Sequence, residues 1–223
     1  MMDEALRSYV LEKVAETPAI VEKKLWSGSW RLEDAAFGRI EAHPIETGHK
    51  LKPRYFYFDV KNLVEEFLSA RTKNRLVVMT GLRRTGKTTS LLQIYDYLVN
   101  EKKMEQNRVF YFSADELVKF LKKSVFETVK TFVEEVHQAT IPTVNKKLVI
   151  LIDEAHYDKE WSAAAKTIFD QTDEIFAIFT GSSALEIELS QDTASRAIKQ
   201  RVYPLSFSEY LEFKYNVEKL QQT

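Results

Sequence analysis

The sequence predicts an α/β protein: a parallel sheet of about five strands covered by helices on both faces. Three observations predict it. The runs Leu76–Met79, Val109–Phe112, Leu148–Ile152 and Ile175–Phe179 are apolar throughout rather than alternating, as strands buried on both faces are. Helical spacing fills the stretches between them, the arrangement of right-handed crossovers between parallel strands. Polar motifs follow the first, third and fourth runs, at the carboxyl edge where open α/β sheets bind ligands.

Each element has its own signal. Leu6, Tyr9, Val10 and Val14 recur at three and four residues, which predicts a helix ending near Pro18. From Trp26 to Pro53 the chain carries Gly28, Gly38, Gly48 and Pro44 without a period and reads as irregular. Residues 1–52 are therefore an N-terminal extension and 53–223 the sheet-bearing domain. Val60, Leu63, Val64, Phe67 and Leu68 keep helical spacing before the first strand, and Leu91–Val99 continues it after. Leu117 through Val136 forms one long helical stripe, Ala163–Phe169 another, and a fifth strand is expected around Arg201-Val202-Tyr203.

Composition excludes several classes. The 223 residues are 44% hydrophobic, enough for one sizeable core. Thirty-two Lys and Arg against 33 Asp and Glu leave a net charge of −1, so no overall field draws the chain to nucleic acid or an acidic membrane. Lys119, Lys122, Lys123 and the Lys199–Arg201 cluster read as solvated faces, so a nucleic-acid partner stays open but is not indicated. The absence of cysteine removes disulfides, thiolate metal sites and cysteine nucleophiles, and suits a reducing cytosol. No apolar run exceeds the five residues of Leu148–Ile152, against the roughly 20 that span a bilayer. The acidic start Met1–Ala5 lacks the pattern of a secretory signal, so a cytoplasmic location is expected.

The chemistry starts at Gly81-Leu82-Arg83-Arg84-Thr85-Gly86-Lys87-Thr88, which fits G-x-x-x-x-G-K-[ST] between a strand and a helix. The two glycines let successive N–H groups face a β-phosphate, and the following helix N-terminus adds its positive end. Lys87 is expected to reach the β and γ oxygens and Thr88 to offer its hydroxyl to Mg²⁺. The bland alternative is a glycine turn with solvated Lys and Arg. Position and pattern together favour a P-loop NTPase, a three-layer sandwich binding ATP and Mg²⁺.

Asp153 and Glu154 end the third strand. Asp153 is expected in the Mg²⁺ shell; Glu154, pointing to the other side of the chain, would take the proton from the water attacking the γ-phosphate. Ser182 and Ser183 follow the fourth strand at the same edge, either as polar contacts to the γ-phosphate or as a serine cap on the next helix. His156 is left without a role. No N-K-x-D guanine motif occurs, since Asn145-Lys146-Lys147 lacks the acid, and Glu154 beside Asp153 argues against a small-molecule kinase.

The phosphate loop with Thr89, then Leu151-Ile152-Asp153-Glu154 with Trp161 downstream, Phe179-Thr180-Gly181-Ser182-Ser183, Ser195-Arg196-Ala197 and Pro204-Leu205-Ser206-Phe207-Ser208-Glu209-Tyr210-Leu211 together resemble the AAA-like P-loop ATPases of the "AAA domain 14" group. The resemblance spans about residues 60–212. It implies strand order 5-1-4-3-2, with the Ser182 strand between the phosphate-loop and Asp153 strands. It also implies a charge-stabilising role for Arg196, in its own or a neighbouring subunit, against the plain alternative of a salt-bridged surface Arg. Leu82 stands where the family often has Pro, and Ser195 where it often has Gly. The family's C-terminal lid and further domains are not expected within residues 53–223. The resulting expectation is a Mg-dependent ATPase coupled to an unknown protein partner; slow nucleotide switching and a DNA-associated ATPase module are the alternatives, and the oligomer is left open.

Overall fold

The computed structural model describes residues 3–26, 50–182 and 189–215. Much of the stretch read as irregular, residues 27–49, lies outside the described residues, as does Ser183.

Five strands form one sheet: β1 (Leu76–Gly81), β2 (Val109–Ser113), β3 (Leu148–Asp153), β4 (Ile175–Gly181) and β5 (Ile198–Val202). Their order is β2-β3-β4-β1-β5 and every pairing is parallel, so the predicted order holds and β4 lies between β1 and β3. Alternate residues of the apolar strands enter opposite cores. Leu148, Ile150 and Ile152 of β3 face one cluster, and Val149 and Leu151 the other.

The helices divide between these faces. Helix α1 spans Glu4–Trp26, α2 Tyr55–Ser69, and α3 Lys87–Asp96, continued by a π turn at Tyr97–Glu101. The short α4 (Ala114–Glu116), α5 (Val125–His137), α6 (Trp161–Gln171), α7 (Gln191–Ala194) and α8 (Phe207–Tyr215) follow. Helices α5 and α6 cover one face with Phe132 and Trp161; α2 and α3 cover the other with Phe67 and Tyr95. Helix α1 reaches both cores, Leu6 and Val10 on one side and Val21 and Leu25 on the other, and packs on edge strand β2. It thereby covers an edge that would otherwise present unpaired backbone groups.

Two helix expectations are corrected. Helix α1 runs through Pro18 to Trp26. Proline removes the N–H that would donate to the Val14 carbonyl, and the Gln106 side-chain amide donates to that carbonyl instead at 2.6 Å. The predicted single stripe from Leu117 to Val136 is broken. A π turn at Leu117–Leu121 ends on Lys122 at φ 57°, and α5 restarts with a capping box. There Ser124 Oγ accepts from the Glu127 N–H at 3.2 Å, and Glu127 Oε2 accepts from the Ser124 N–H at 2.9 Å. Apolar spacing continued across the break because both pieces cover the same core.

Candidate nucleotide site

The site forms where β1, β3 and β4 end. After β1 the chain loops through residues 82–86 and enters α3 at Lys87. The two glycines of the loop serve different needs. Gly86 has φ 92°, a left-handed conformation that L side chains disfavour. Gly81 is required by packing: a Cβ there would lie 2.2 Å from the Val202 carbonyl oxygen of β5. Thr85 Oγ donates to the Leu82 carbonyl at 2.9 Å and closes the loop on itself. Leu82, Arg83 and Arg84 are exposed at its outer rim.

Lys87 is only 5% exposed. Its ammonium donates to the carbonyls of Gly81 at 2.9 Å and Leu82 at 2.7 Å, so it arches over the loop. Burial lowers its pKa; the carboxylates of Glu154 and, less strongly, Asp153 pull it back up, while Arg83 opposes them.

Beside it, Thr88 Oγ donates to Asp153 Oδ2 at 2.8 Å. Asp153 Oδ1 accepts from the Thr180 hydroxyl and from the Glu154 N–H at 3.1 Å. One carboxylate is thus aimed by two hydroxyls and a backbone amide. Glu154 leaves the sheet at φ 52°, so a left-handed turn rather than strand alternation directs its side chain. Its N–H also approaches Thr180 Oγ at 3.3 Å, and its Oε2 lies 3.3 Å from His156 Nδ1.

Phosphate loop, strand-end carboxylate and strand order agree with one family. A model described as AAA domain, AAA_14, matches residues 73–211. The chain belongs to this AAA domain family of P-loop ATPases. An uncharacterized protein, MJ1637, from Methanocaldococcus jannaschii is 34% identical over 213 residues, covering 96% of this chain and 38% of that protein. A Haemophilus influenzae protein is 27% identical over 158 residues, 69% of this chain and 37% of its own length. The chain therefore spans less than two fifths of these curated relatives. Among solved structures, a DNA replication initiation factor aligns with TM-score 0.50 at 17% identity, over 74% of this chain and 51% of that one. The Aeropyrum pernix ORC2 protein aligns with TM-score 0.50 at 14% identity, over 73% and 51%. At such identities the likeness is one of fold.

Within this AAA domain the residues named from sequence fall into two groups. Lys87, Thr88, Asp153 and Glu154 converge. Ser182 stands just past β4, between the strands that carry them. Arg196 does not join them. It precedes β5, beside the start of β1, and its guanidinium grips Asp170 of α6 at 2.7 and 3.3 Å and the Asp192 carbonyl at 2.7 Å. That is the opposite edge of the sheet from the loop.

Two residues were missed. Thr180, fully buried, bonds the Asp153 carboxylate; a hydroxyl residue closing an apolar strand beside the Asp153 strand was its available signal. Arg54 donates to the Thr85 carbonyl of the loop at 2.7 Å, and no local pattern marks it.

No group of three or more His, Cys, Asp or Glu side chains suited to a metal occurs among the described residues. The available donors are one hydroxyl and one carboxylate, all oxygen. This fits Mg²⁺, which keeps several waters and takes phosphate oxygens, better than a metal needing an all-protein cage. No described helix is long and apolar enough to cross a membrane.

Proposed function

We propose that the chain binds Mg-ATP and hydrolyses it, and that the nucleotide state is passed to a protein partner as a conformational change. The reading rests chiefly on the Thr88–Asp153 contact at 2.8 Å beside the buried Lys87 ammonium. The loop residues Gly81 to Thr89 would hold the phosphates through backbone N–H groups, and Lys87 would neutralise the β and γ oxygens. Thr88 and Asp153 would hold Mg²⁺, which would supply charge neutralisation on the triphosphate. Glu154 would accept the proton of a water attacking the γ-phosphorus as the bond to the bridging oxygen of ADP breaks. Ser182 would offer its hydroxyl to the γ-phosphate. The missing guanine motif supports ATP over GTP.

A second reading, slow nucleotide switching, is favoured by one observation: the Glu154 carboxylate rests against His156. Two variants separate the readings. Lys87→Ala should lose ATP affinity by about 100-fold or more in calorimetry with the fold intact. Glu154→Gln should cut hydrolysis by roughly 10² to 10⁴ while Mg-ATP affinity holds. Wild-type turnover in Glu154→Gln would leave the switch reading in place, and equal ATP binding by Lys87→Ala would remove both.

A further inference from the structure

The guanidinium of Arg54 spends all five of its N–H donors on fixed acceptors. Nε and Nη2 fork onto the two carboxylate oxygens of Glu209 at 3.0 and 2.8 Å. Nη1 reaches the Thr85 carbonyl at 2.7 Å and the Tyr203 carbonyl at 2.9 Å. Nη2 also reaches the Pro204 carbonyl at 3.3 Å. A single side chain thus joins three segments of the chain: the phosphate loop and the β5–α8 connection through their carbonyls, and the first turn of α8 through the Glu209 carboxylate.

The pair is buried, with side chains 12% and 5% exposed. Glu209 has a second task in the same place. Its Oε2 accepts from the Ser206 N–H at 3.0 Å while Ser206 Oγ accepts from the Glu209 N–H at 3.2 Å, a capping box that starts α8. Burial alone would raise the Glu209 pKa, but the Arg54 fork and the Ser206 donors together hold it below the ordinary glutamate value. The Arg54 stem lies against the loop as well: a Cβ on Gly86 would be 3.4 Å from Arg54 Cδ. With every donor engaged, Arg54 has none to offer a phosphate without releasing one of these partners. Its chemistry is that of a brace. It also lies outside the stretch matched by the family model, residues 73–211, whereas Glu209 lies inside it.

We propose that Arg54 is a positioning residue that ties the phosphate loop to α8 through Glu209, so that nucleotide bound at the loop is felt by α8. The inference rests on the nucleotide-binding reading above. Any shift of the Thr85 carbonyl on phosphate binding is carried to Glu209 through one rigid planar group, which a lysine ammonium cannot imitate because it lacks the fork.

The test uses the 223-residue chain, with ADP affinity from calorimetry and amide hydrogen exchange across residues 207–215 with and without ADP. Wild type should show slower exchange in α8 when ADP is bound. Arg54→Lys should weaken ADP about tenfold and Glu209→Gln by several-fold. The double variant should be no worse than Arg54→Lys, and the ADP-dependent slowing should vanish in all three. Both substitutions are mild, and a melting curve for each checks the fold. Folded variants that bind ADP within twofold of wild type and retain the slowing would overturn the brace while leaving the nucleotide site standing. A lowered melting temperature with affinity and exchange unchanged would overturn it equally, as a merely structural pair. A wild-type chain that binds no nucleotide would overturn both.

Discussion

The two edges of the sheet hold their charges in different ways. At the amino edge, cations meet anions or helix ends that match them. Arg75, 6% exposed, donates to Asp173 at 2.7 Å and to the Phe169 carbonyl at 2.8 Å, and its guanidinium lies 3.8 Å over the Phe169 ring. Arg196 is forked onto Asp170, and Lys147 reaches the last carbonyls of α2, Phe67 at 2.6 Å and Leu68 at 3.2 Å. At the carboxyl edge the Arg54–Glu209 pair is charge-matched too, but neutral groups hold the two charges of the nucleotide site itself. Lys87 rests on two carbonyls, and Asp153 on the hydroxyls of Thr88 and Thr180. A charge held by neutral dipoles keeps its field for a ligand, whereas one matched by a counter-charge has spent it on the fold. Arg75 should therefore govern stability, and Lys87 and Asp153 binding.

The largest effect that would sharpen this contrast is at Asp153. Asp153→Asn should reduce the Mg²⁺-dependent part of ATP affinity about 100-fold, and Thr180→Val, which removes one hydroxyl aiming that carboxylate, about tenfold. Calorimetry with and without Mg²⁺ reads both. If Thr180→Val binds Mg-ATP like wild type, the hydroxyl does not aim the carboxylate and the neutral-holder argument fails at its central residue. Arg75→Met should show the reverse pattern, a loss of about 1–3 kcal/mol in urea unfolding from the missing bonds and ring contact, with ADP affinity unchanged.

The sequence made the carboxyl edge far more legible than the amino edge. Strand type and the Lys87–Thr88–Asp153–Glu154 group follow from local signals, because a strand ending in a phosphate loop or in paired acids is written in consecutive residues, whereas strand order came only from the family resemblance. Arg54 left no local signal and Thr180 only its place at the end of an apolar strand, since each acts on residues distant in the chain: Arg54 on Thr85 and Glu209, Thr180 on Asp153. The path of α1 through Pro18 escaped for the same reason, its compensation coming from Gln106. The Glu154 carboxylate acts on the Lys87 ammonium, but the φ 52° turn that aims it leaves no mark in a pattern of apolar and polar residues.

Acid offers a smaller test, confined to the brace. The folded-state pKa of Glu209 is depressed, so its ionised form stabilises the fold above the ordinary value of 4.5, and this stability is lost as pH falls below 4.5 through the folded value. Wild type should lose urea stability on acidification through this window more steeply than Glu209→Gln. Parallel slopes for the two proteins would mean the fork is no stronger in the folded chain than its solvated parts.

The smallest expected effect concerns Arg196. Its pair with Asp170 is partly exposed, at 29% and 36%, so Arg196→Ala should change stability by less than about 1 kcal/mol. Its distance from the loop decides what it can do to catalysis. Ile198 pairs with Val77 and Val202 with Gly81, so the strand from Arg196 to the loop level is about six residues long. At about 3.3 Å per residue this is roughly 20 Å, well beyond the reach of one arginine side chain. Within one chain, Arg196→Ala should therefore leave ATP turnover per molecule unchanged at concentrations where the protein is monomeric. Action on a neighbouring subunit predicts a different signature: turnover that rises with protein concentration in wild type and stays flat in Arg196→Ala. A dilution series with both proteins separates the two, and a drop in the variant at every concentration would contradict the placement of Arg196 at the amino edge.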